Sequence, residues 1–378
     1  MRFDFATAAR IVFARGAIAD LPKLARELGS RPLLVTGRDA ERAAGVRNAL
    51  ACEVFSVYGE PTVEMVRQGA QAAREGCDLV IGFGGGSAID AAKAIAALAT
   101  NSGDPLDYLE VVGKGRTIDR NPLPFIAVPT TAGTGAEVTR NAVIGSPEHQ
   151  VKASLRSPLM LAKIALIDPD LTRDVPPHVT ASTGLDTLTQ LIEPYVSVRA
   201  NAMSDLFCVE GLKRVAASLD RVFQNGHDID ARESMSFASL LSGLALANAG
   251  LGAVHGFASP LGGMLEAPHG ALCAAVLPHA TAVNIRALRS RDYHSKALRR
   301  YEEIACILTG EADAMPDDGA EWIAAVCGKF AIPNLRHYGL DQGQIPELVA
   351  KAARASSMKA NALPLTTAEL TEIAERAL

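Results

Sequence analysis

Asp78-Leu-Val-Ile-Gly-Phe-Gly84-Gly-Gly-Ser87-Ala-Ile-Asp-Ala-Ala-Lys93 is the stretch that decides the fold. Its first six residues are a short apolar run of the kind buried on both faces of a parallel sheet. The run ends directly on three glycines and a serine, and a helix is expected from Ala88 to about Thr100. Strand, glycine turn and helix in succession are the opening of a βαβ unit. Glycines let backbone N–H groups approach a ligand closely. The helix N-terminus behind them offers free donors and the positive end of its dipole, which suits a phosphate. Gly85, Gly86 and Ser87 are therefore candidate nucleotide contacts, with Asp90 and Lys93 on the first turns of the helix. A tight turn that merely needs glycine is the competing reading. The pattern is neither G-x-G-x-x-G nor a Walker loop.

Outward from this stretch, short apolar runs alternate with helical ones. Strands are expected at residues 9–14, at Leu33–Thr36, at Glu53–Val57 and at Pro124–Pro129. One helical segment runs to Leu50, and another opens at Pro61 with Thr62 as N-cap. This is the pattern of a parallel sheet covered on both faces. Past Asp168-Pro-Asp-Leu171 the strand signals nearly vanish and helical periodicity takes over. A boundary near residue 175 is expected, giving an α/β nucleotide-binding domain (1–175) followed by an all-α domain (176–378). There is no internal repeat and no low-complexity tract.

Ligands of open α/β sheets bind at the carboxyl ends of the strands. Pro129-Thr-Thr-Ala-Gly-Thr-Gly-Ala-Glu137 is a second small-residue loop at such an end, and its threonines can hold ribose or amide groups. A hydroxyl-rich turn is the plainer alternative. The strand at Leu33–Thr36 ends in Gly37-Arg38-Asp39. Gly37 leaves room and Arg38 supplies positive charge, which favours NADP(H) over NAD(H). Asp39 either holds the ribose or, more ordinarily, caps the next helix.

In the second half, Ala253-Val-His-Gly-Phe-Ala-Ser-Pro-Leu-Gly-Gly-Met-Leu-Glu-Ala-Pro-His269 places His255 and His269 in apolar surroundings. Buried imidazoles need a hydrogen bond or a metal. Asp186 and Gln190 are four apart on an otherwise apolar helix, hence on one face. The four side chains make a candidate site for Zn²⁺ or Fe²⁺. Core histidines bonded to carbonyls and a hydrogen-bonded helix interface are the alternatives. Gln is a poor ligand type for either metal.

Composition bounds the rest. The 378 residues are 48% hydrophobic and 21% charged, enough for two globular domains. A net charge of −5 with scattered Lys and Arg argues against nucleic acid or an anionic membrane as partner. Six widely spaced cysteines in apolar contexts suit reduced thiols in the cytoplasm. Met1-Arg-Phe-Asp-Phe5 lacks the features of a signal peptide. The apolar run Phe237–Phe257 reads as one core helix of a helical domain rather than a membrane span.

Together these motifs resemble the iron-containing (group III) alcohol dehydrogenases over nearly the whole chain. The resemblance rests on Gly84–Lys93, Val128–Glu137, Asp168–Leu171, Ala181–Asp186 and the His255–His269 stretch continuing to Leu277-Pro-His279. Maleylacetate reductases look similar, while dehydroquinate synthase and glycerol dehydrogenases look more distant. The resemblance implies a Rossmann-like, dehydroquinate synthase-like nucleotide domain, an all-helical metal domain and a cleft between them. It implies metal ligands at Asp186, His255, His269 and position 190. Gly85, Gly86 and Ser87 would hold the pyrophosphate. Thr130, Thr131, Thr134 and Lys152 would line the nucleotide cleft, and Leu171 joins them through its motif.

Two positions depart from the family's pattern: Gln190 where histidine is usual, and Ser259 where many members carry a second histidine. Ser259 and His255 are the candidate catalytic residues; Ser259 can pass a proton through water but cannot hold one near neutral pH. The expected reaction is hydride transfer between an alcohol or aldehyde and C4 of nicotinamide, with a divalent metal as Lewis acid and a homodimer as default assembly. The alternatives are metal-independent reduction of an unsaturated keto acid, with Lys152 and Arg156 as anion site, a dehydroquinate synthase-like lyase and a non-catalytic nucleotide-binding protein.

Overall fold

The structure is a computed structural model that describes residues 3–149 and 151–378. The reading of the N-terminal segment rests partly on Met1 and Arg2, which lie outside the described residues. Two compact units emerge: Ala6–Asp174, and Val175–Leu378 together with the described residues up to Phe5. The ring of Phe5 packs 5.7 Å from that of Phe207 in the second unit.

The first unit runs β1 (Arg10–Phe13), α1 (Leu21–Arg26), β2 (Pro32–Thr36), α2 (Ala44–Ala49), β3 (Glu53–Ser56), α3 (Val63–Arg74), β4 (Leu79–Gly84), α4 (Gly86–Thr100), α5 (Pro105–Tyr108), β5 (Phe125–Pro129), β6 (Asn141–Ser146), β7 (Val151–Arg156) and β8 (Ile164–Ile167). Six strands form a parallel sheet in the order β1-β8-β5-β4-β2-β3. Strands β2, β4, β5 and β8 are buried along their whole length, which is why they read as continuous apolar runs. Alternate side chains face opposite layers. Leu34, Ile81, Phe83 and Val128 pack with Leu21, Leu24 and Val46 of α1 and α2. Gly82 faces the other way, where a Cβ would stand 2.8 Å from Ala92 of α4. Thr62 caps α3 by accepting from the Met65 N–H, as expected. Helix α4 starts at Gly86, two residues earlier than expected. The antiparallel hairpin β6–β7 and strand β8 were not expected from the sequence.

The chain goes from β2 outward to β3, then returns to the other side of β2 as β4. The strand order therefore reverses between β2 and β4, and a crevice opens at their carboxyl ends. Gly37 and Gly84–Gly86 stand at those two ends.

The second unit is helical: α6 (Pro177–Val196), α7 (Ala202–Gln224), α8 (Ile229–Ala249), α9 (Ala253–Met264), α10 (His269–Arg291), α11 (Lys296–Thr309), α12 (Pro316–Lys329), α13 (Ile345–Arg354) and α14 (Thr367–Ala377). The run Phe237–Phe257 is not one helix, contrary to expectation. It breaks at Gly250, whose φ of +75° only glycine adopts readily, and α8 and α9 meet at 97°. At Gly252 a Cβ would lie 2.9 Å from both Glu193 Oε1 and Asn361 Oδ1. Those two oxygens accept the N–H groups of Val254 (2.6 Å) and Ala253 (3.1 Å), so they cap α9 from outside its own sequence. Helix α10 is long and apolar enough to cross a membrane, but 78% of its most apolar stretch is buried inside this unit.

Candidate active site

Helix α6 presents Asp186, Gln190 and Glu193 on one buried face. Burying such groups costs several kcal/mol each unless they are paired. Glu193 resolves its share at the start of α9: one oxygen caps the helix and the other lies 2.7 Å from His255 Nδ1. That contact puts a proton on Nδ1 and turns Nε2 toward the cluster, in the manner of carboxylate–histidine pairs behind metal sites.

His255 Nε2 stands 3.4 Å from Asp186 Oδ1. Helix α10 begins at His269, and Gly270 lets it press against α6, since a Cβ there would stand 2.7 Å from the Ser182 carbonyl. One turn on, the Cys273 thiol lies 3.6 Å from His269 Nε2 and 3.8 Å from His255 Nε2. Asp186, His255, His269 and Cys273 each direct one donor atom inward, all within 4.8 Å of one another.

These separations test whether a metal fits. Bonds of about 2.0–2.3 Å to N, O and S, arranged tetrahedrally, put donor atoms about 3.3–3.8 Å apart. The three quoted edges match that range, and the 3.4 Å N···O edge between His255 and Asp186 is longer than an ordinary N–H···O bond. Asp186 Oδ1 is moreover buried with no hydrogen-bond partner, although its other oxygen takes the Gln190 amide. A divalent cation satisfies the bare oxygen and the three neighbouring donors at once.

The charges agree. Cys273 above all, with Asp186 helping and burial opposing, raises His269 to about 9. Burial works against charge on His255, but Cys273, Asp186 and Glu193 together lift it well above the ordinary imidazole value. Asp186 is opposed by burial yet held below the carboxylate range by the two histidines and Cys273. Protons and a divalent cation would therefore compete for the two imidazoles.

At the switch point in the α/β unit, α4 begins with Gly85 as N-cap and no side-chain cap, so its first N–H groups are free for a ligand. A Cβ at Gly86 would meet Thr134 at 2.7 Å, and one at Gly85 would meet Thr131 Oγ1 at 3.3 Å. Glycine and threonine loops therefore lie against each other. Thr130 joins them through its N–H to the Gly84 carbonyl, 2.9 Å. Gly37 is adjacent, its nitrogen 3.5 Å from the Cβ position of Gly84. The cradle suits a pyrophosphate.

Models of two sequence families match the chain: the iron-containing alcohol dehydrogenases over residues 8–169, and their C-terminal domain over residues 180–378. The chain belongs to the iron-containing alcohol dehydrogenase family. It is 34% identical to long-chain-alcohol dehydrogenase 1 of Geobacillus thermodenitrificans, covering 98% of this chain and 96% of that protein. It is 34% identical to 4-hydroxybutyrate dehydrogenase of Cupriavidus necator, at 96% of each. The solved alcohol dehydrogenase from Oenococcus oeni superposes with a TM-score of 0.90 over 100% of both chains at 30% identity. Like other members of this dehydrogenase family, the protein is an oxidoreductase acting on alcohols, a chemistry of nicotinamide nucleotide and metal ion. The keto-acid reductase and non-catalytic alternatives are not favoured.

The remaining residues of this dehydrogenase take varied places. Asp39 is exposed and accepts from the Glu41 N–H, acting as a cap. Asp90 accepts from the Val143 N–H at 3.0 Å and so holds β6. Lys152 is ion-paired with Glu60, and Arg156 lies 3.7 Å from Glu110. The Leu171 carbonyl accepts from Arg42, 3.4 Å. Lys93 is fully buried and donates to the Ala136 and Asn141 carbonyls and to Thr139 Oγ1, bracing the threonine loop. Ser259 is exposed, one turn beyond His255 on α9. Gln190 turns its oxygen to Ser242 Oγ (2.9 Å) and its nitrogen to Asp186.

Sequence reading missed Cys273 and Glu193. Both were accessible by helical spacing: Cys273 is four residues after His269, and Glu193 seven after Asp186. Cysteine passes as an ordinary core residue in apolar sequence, which hid the first.

Proposed function

We propose that the protein catalyses reversible, metal-dependent hydride transfer between the carbinol carbon of a small alcohol, or the carbonyl of an aldehyde, and C4 of NAD(P)(H). The observation that carries this is the bare Asp186 oxygen among three converging donors in the helical unit. Bound there, Zn²⁺ or Fe²⁺ supplies Lewis acidity toward the substrate oxygen. Asp186, His255 and His269 hold the ion, and Glu193 keeps His255 in the liganding tautomer. Gly85, Gly86 and Ser87 bind the pyrophosphate at the start of α4, with Thr130, Thr131 and Thr134 beside it. Gly37 and exposed Arg38 receive the adenosine ribose, and the engagement of Asp39 as a cap favours NADP(H). Lys152 and Leu171 support that cleft at its edge. Ser259, open to solvent, relays the alcohol proton to water without storing it. A homodimer and a cytoplasmic location complete the reading, the latter supported by six free cysteines.

The test is NADPH oxidation with a panel of aldehydes before and after chelation. Activity lost on metal removal and recovered on readdition is expected. Full activity in metal-free protein would refute the Lewis-acid role while leaving hydride transfer standing.

A further inference from the structure

Gln190 occupies the place where the resemblance implies a metal ligand, yet its amide is committed at both ends. The nitrogen donates to Asp186 Oδ2 at 2.8 Å, and the oxygen accepts from Ser242 Oγ at 2.9 Å. To offer its oxygen to a cation, the amide must turn over. Ser242 Oγ could then accept from the turned NH₂, but the N–H bond to Asp186 is lost and oxygen is set against carboxylate oxygen. As it stands, the amide holds Asp186 from behind and points Oδ1 at the cluster.

Across the cluster stands a thiol. Cys273 is completely buried, and its sulfur faces two imidazole nitrogens. Both nitrogens are the Nε2 atoms, the ones turned toward the cluster. The distances of 3.6 and 3.8 Å are those of donors sharing one tetrahedral ion with a longer metal–sulfur bond. Placement on α10 one turn after His269 makes the pair a rigid i, i+4 chelate.

We infer that Cys273 is the fourth metal ligand, that Gln190 is an orienting residue behind Asp186, and that the resulting Asp-His-His-Cys set selects zinc over ferrous iron. The inference rests on the reading that the helical unit holds a divalent metal. Binding forms the sulfur–metal bond and breaks the S–H bond, with the proton released to solvent. Exchanging a neutral amide for an anionic thiolate adds a soft donor and a negative charge. Soft donors suit Zn²⁺, and zinc also stands above iron in the general order of divalent affinities.

The experiment uses the full-length protein, stripped with chelator and reloaded with one equivalent of Co²⁺ as spectroscopic stand-in for Zn²⁺. A near-ultraviolet thiolate-to-cobalt charge-transfer band is expected in the parent protein and in Gln190→Ala. Cys273→Ser should bind cobalt without the band and lose at least about tenfold in zinc affinity by chelator competition. In competition, zinc should displace ferrous iron from the parent at equal concentration. A parent cobalt form without the band overturns the assignment, and this holds whether or not the serine variant folds. Metal lost in Gln190→Ala but retained in Cys273→Ser overturns it in favour of the amide. Parent protein that takes up no metal at all overturns the underlying metal reading, a result distinct from both.

Discussion

Glu193 makes two contacts with one carboxylate: one oxygen accepts the Val254 N–H and the other lies against His255 Nδ1. Replacing it with Gln keeps the size and an oxygen for the Val254 N–H. The other arm becomes an NH₂ facing Nδ1, so the ring must carry its proton on Nε2 and lose the liganding lone pair. Glu193→Gln should therefore weaken metal binding about 10–100-fold by chelator competition with an unchanged fold. Unaltered affinity would mean that His255 does not depend on this partner. A second buried carboxylate behaves differently. Burial pushes Glu137 from 4.5 up to about 7, against the pull of Lys93. The folded state thus keeps a proton that the unfolded chain has released. Stability contributed by this group is full below 4.5 and is lost as pH rises through about 7. Glu137→Gln should match the parent near pH 4.5 and exceed it by up to about 3 kcal/mol at pH 8, read from urea unfolding at both pH values. An equal gain at both would exclude the ionisation as cause.

Elements differ in how plainly they announce themselves. Strands β2, β4 and β5 were legible because burial on both faces leaves unbroken apolar runs. The hairpin β6–β7 was not: Asn141-Ala-Val-Ile-Gly-Ser146 alternates half-buried and buried residues and carries weak strand formers at its ends. The break between α8 and α9 was hidden because its caps come from Glu193 and Asn361, distant in sequence. The candidate ligands Asp186, His255 and His269 stood out as polar groups in apolar stretches, whereas Cys273 did not. The glycine turn before α4 was legible and yields a separable test. At Gly86 a Cβ would stand 2.7 Å from Thr134 Cγ2. Gly86→Ala must therefore push the threonine loop away, at about 1–3 kcal/mol. Affinity for NADPH, followed by its fluorescence, should fall about tenfold or more with metal uptake unchanged. Equal loss of both would point to general unfolding rather than to the cradle.

At the scale of the whole molecule, each unit carries one of the two candidate sites on its own elements. The cradle is built from the ends of β2 and β4, the start of α4 and the threonine loop; the cluster is built from α6, α9 and α10. A ligand that binds only the folded form stabilises by an amount set by its concentration over Kd, about 2.7 kcal/mol at a hundredfold excess. That stabilisation appears first in the elements the ligand touches, because local opening is governed by local contacts. Hydrogen exchange can therefore map the two sites without turnover. NADPH should slow exchange at residues 84–90 and 130–136. Zinc should slow it at residues 186–193, 253–257 and 269–274, where three helix segments share one ion. At a zinc concentration that just saturates the parent, Glu193→Gln should weaken the second pattern and leave the first. Zinc protection confined to the α/β unit would show that the Asp186 cluster is not where the metal binds, and the assignment of the chemistry to α6, α9 and α10 would fall with it.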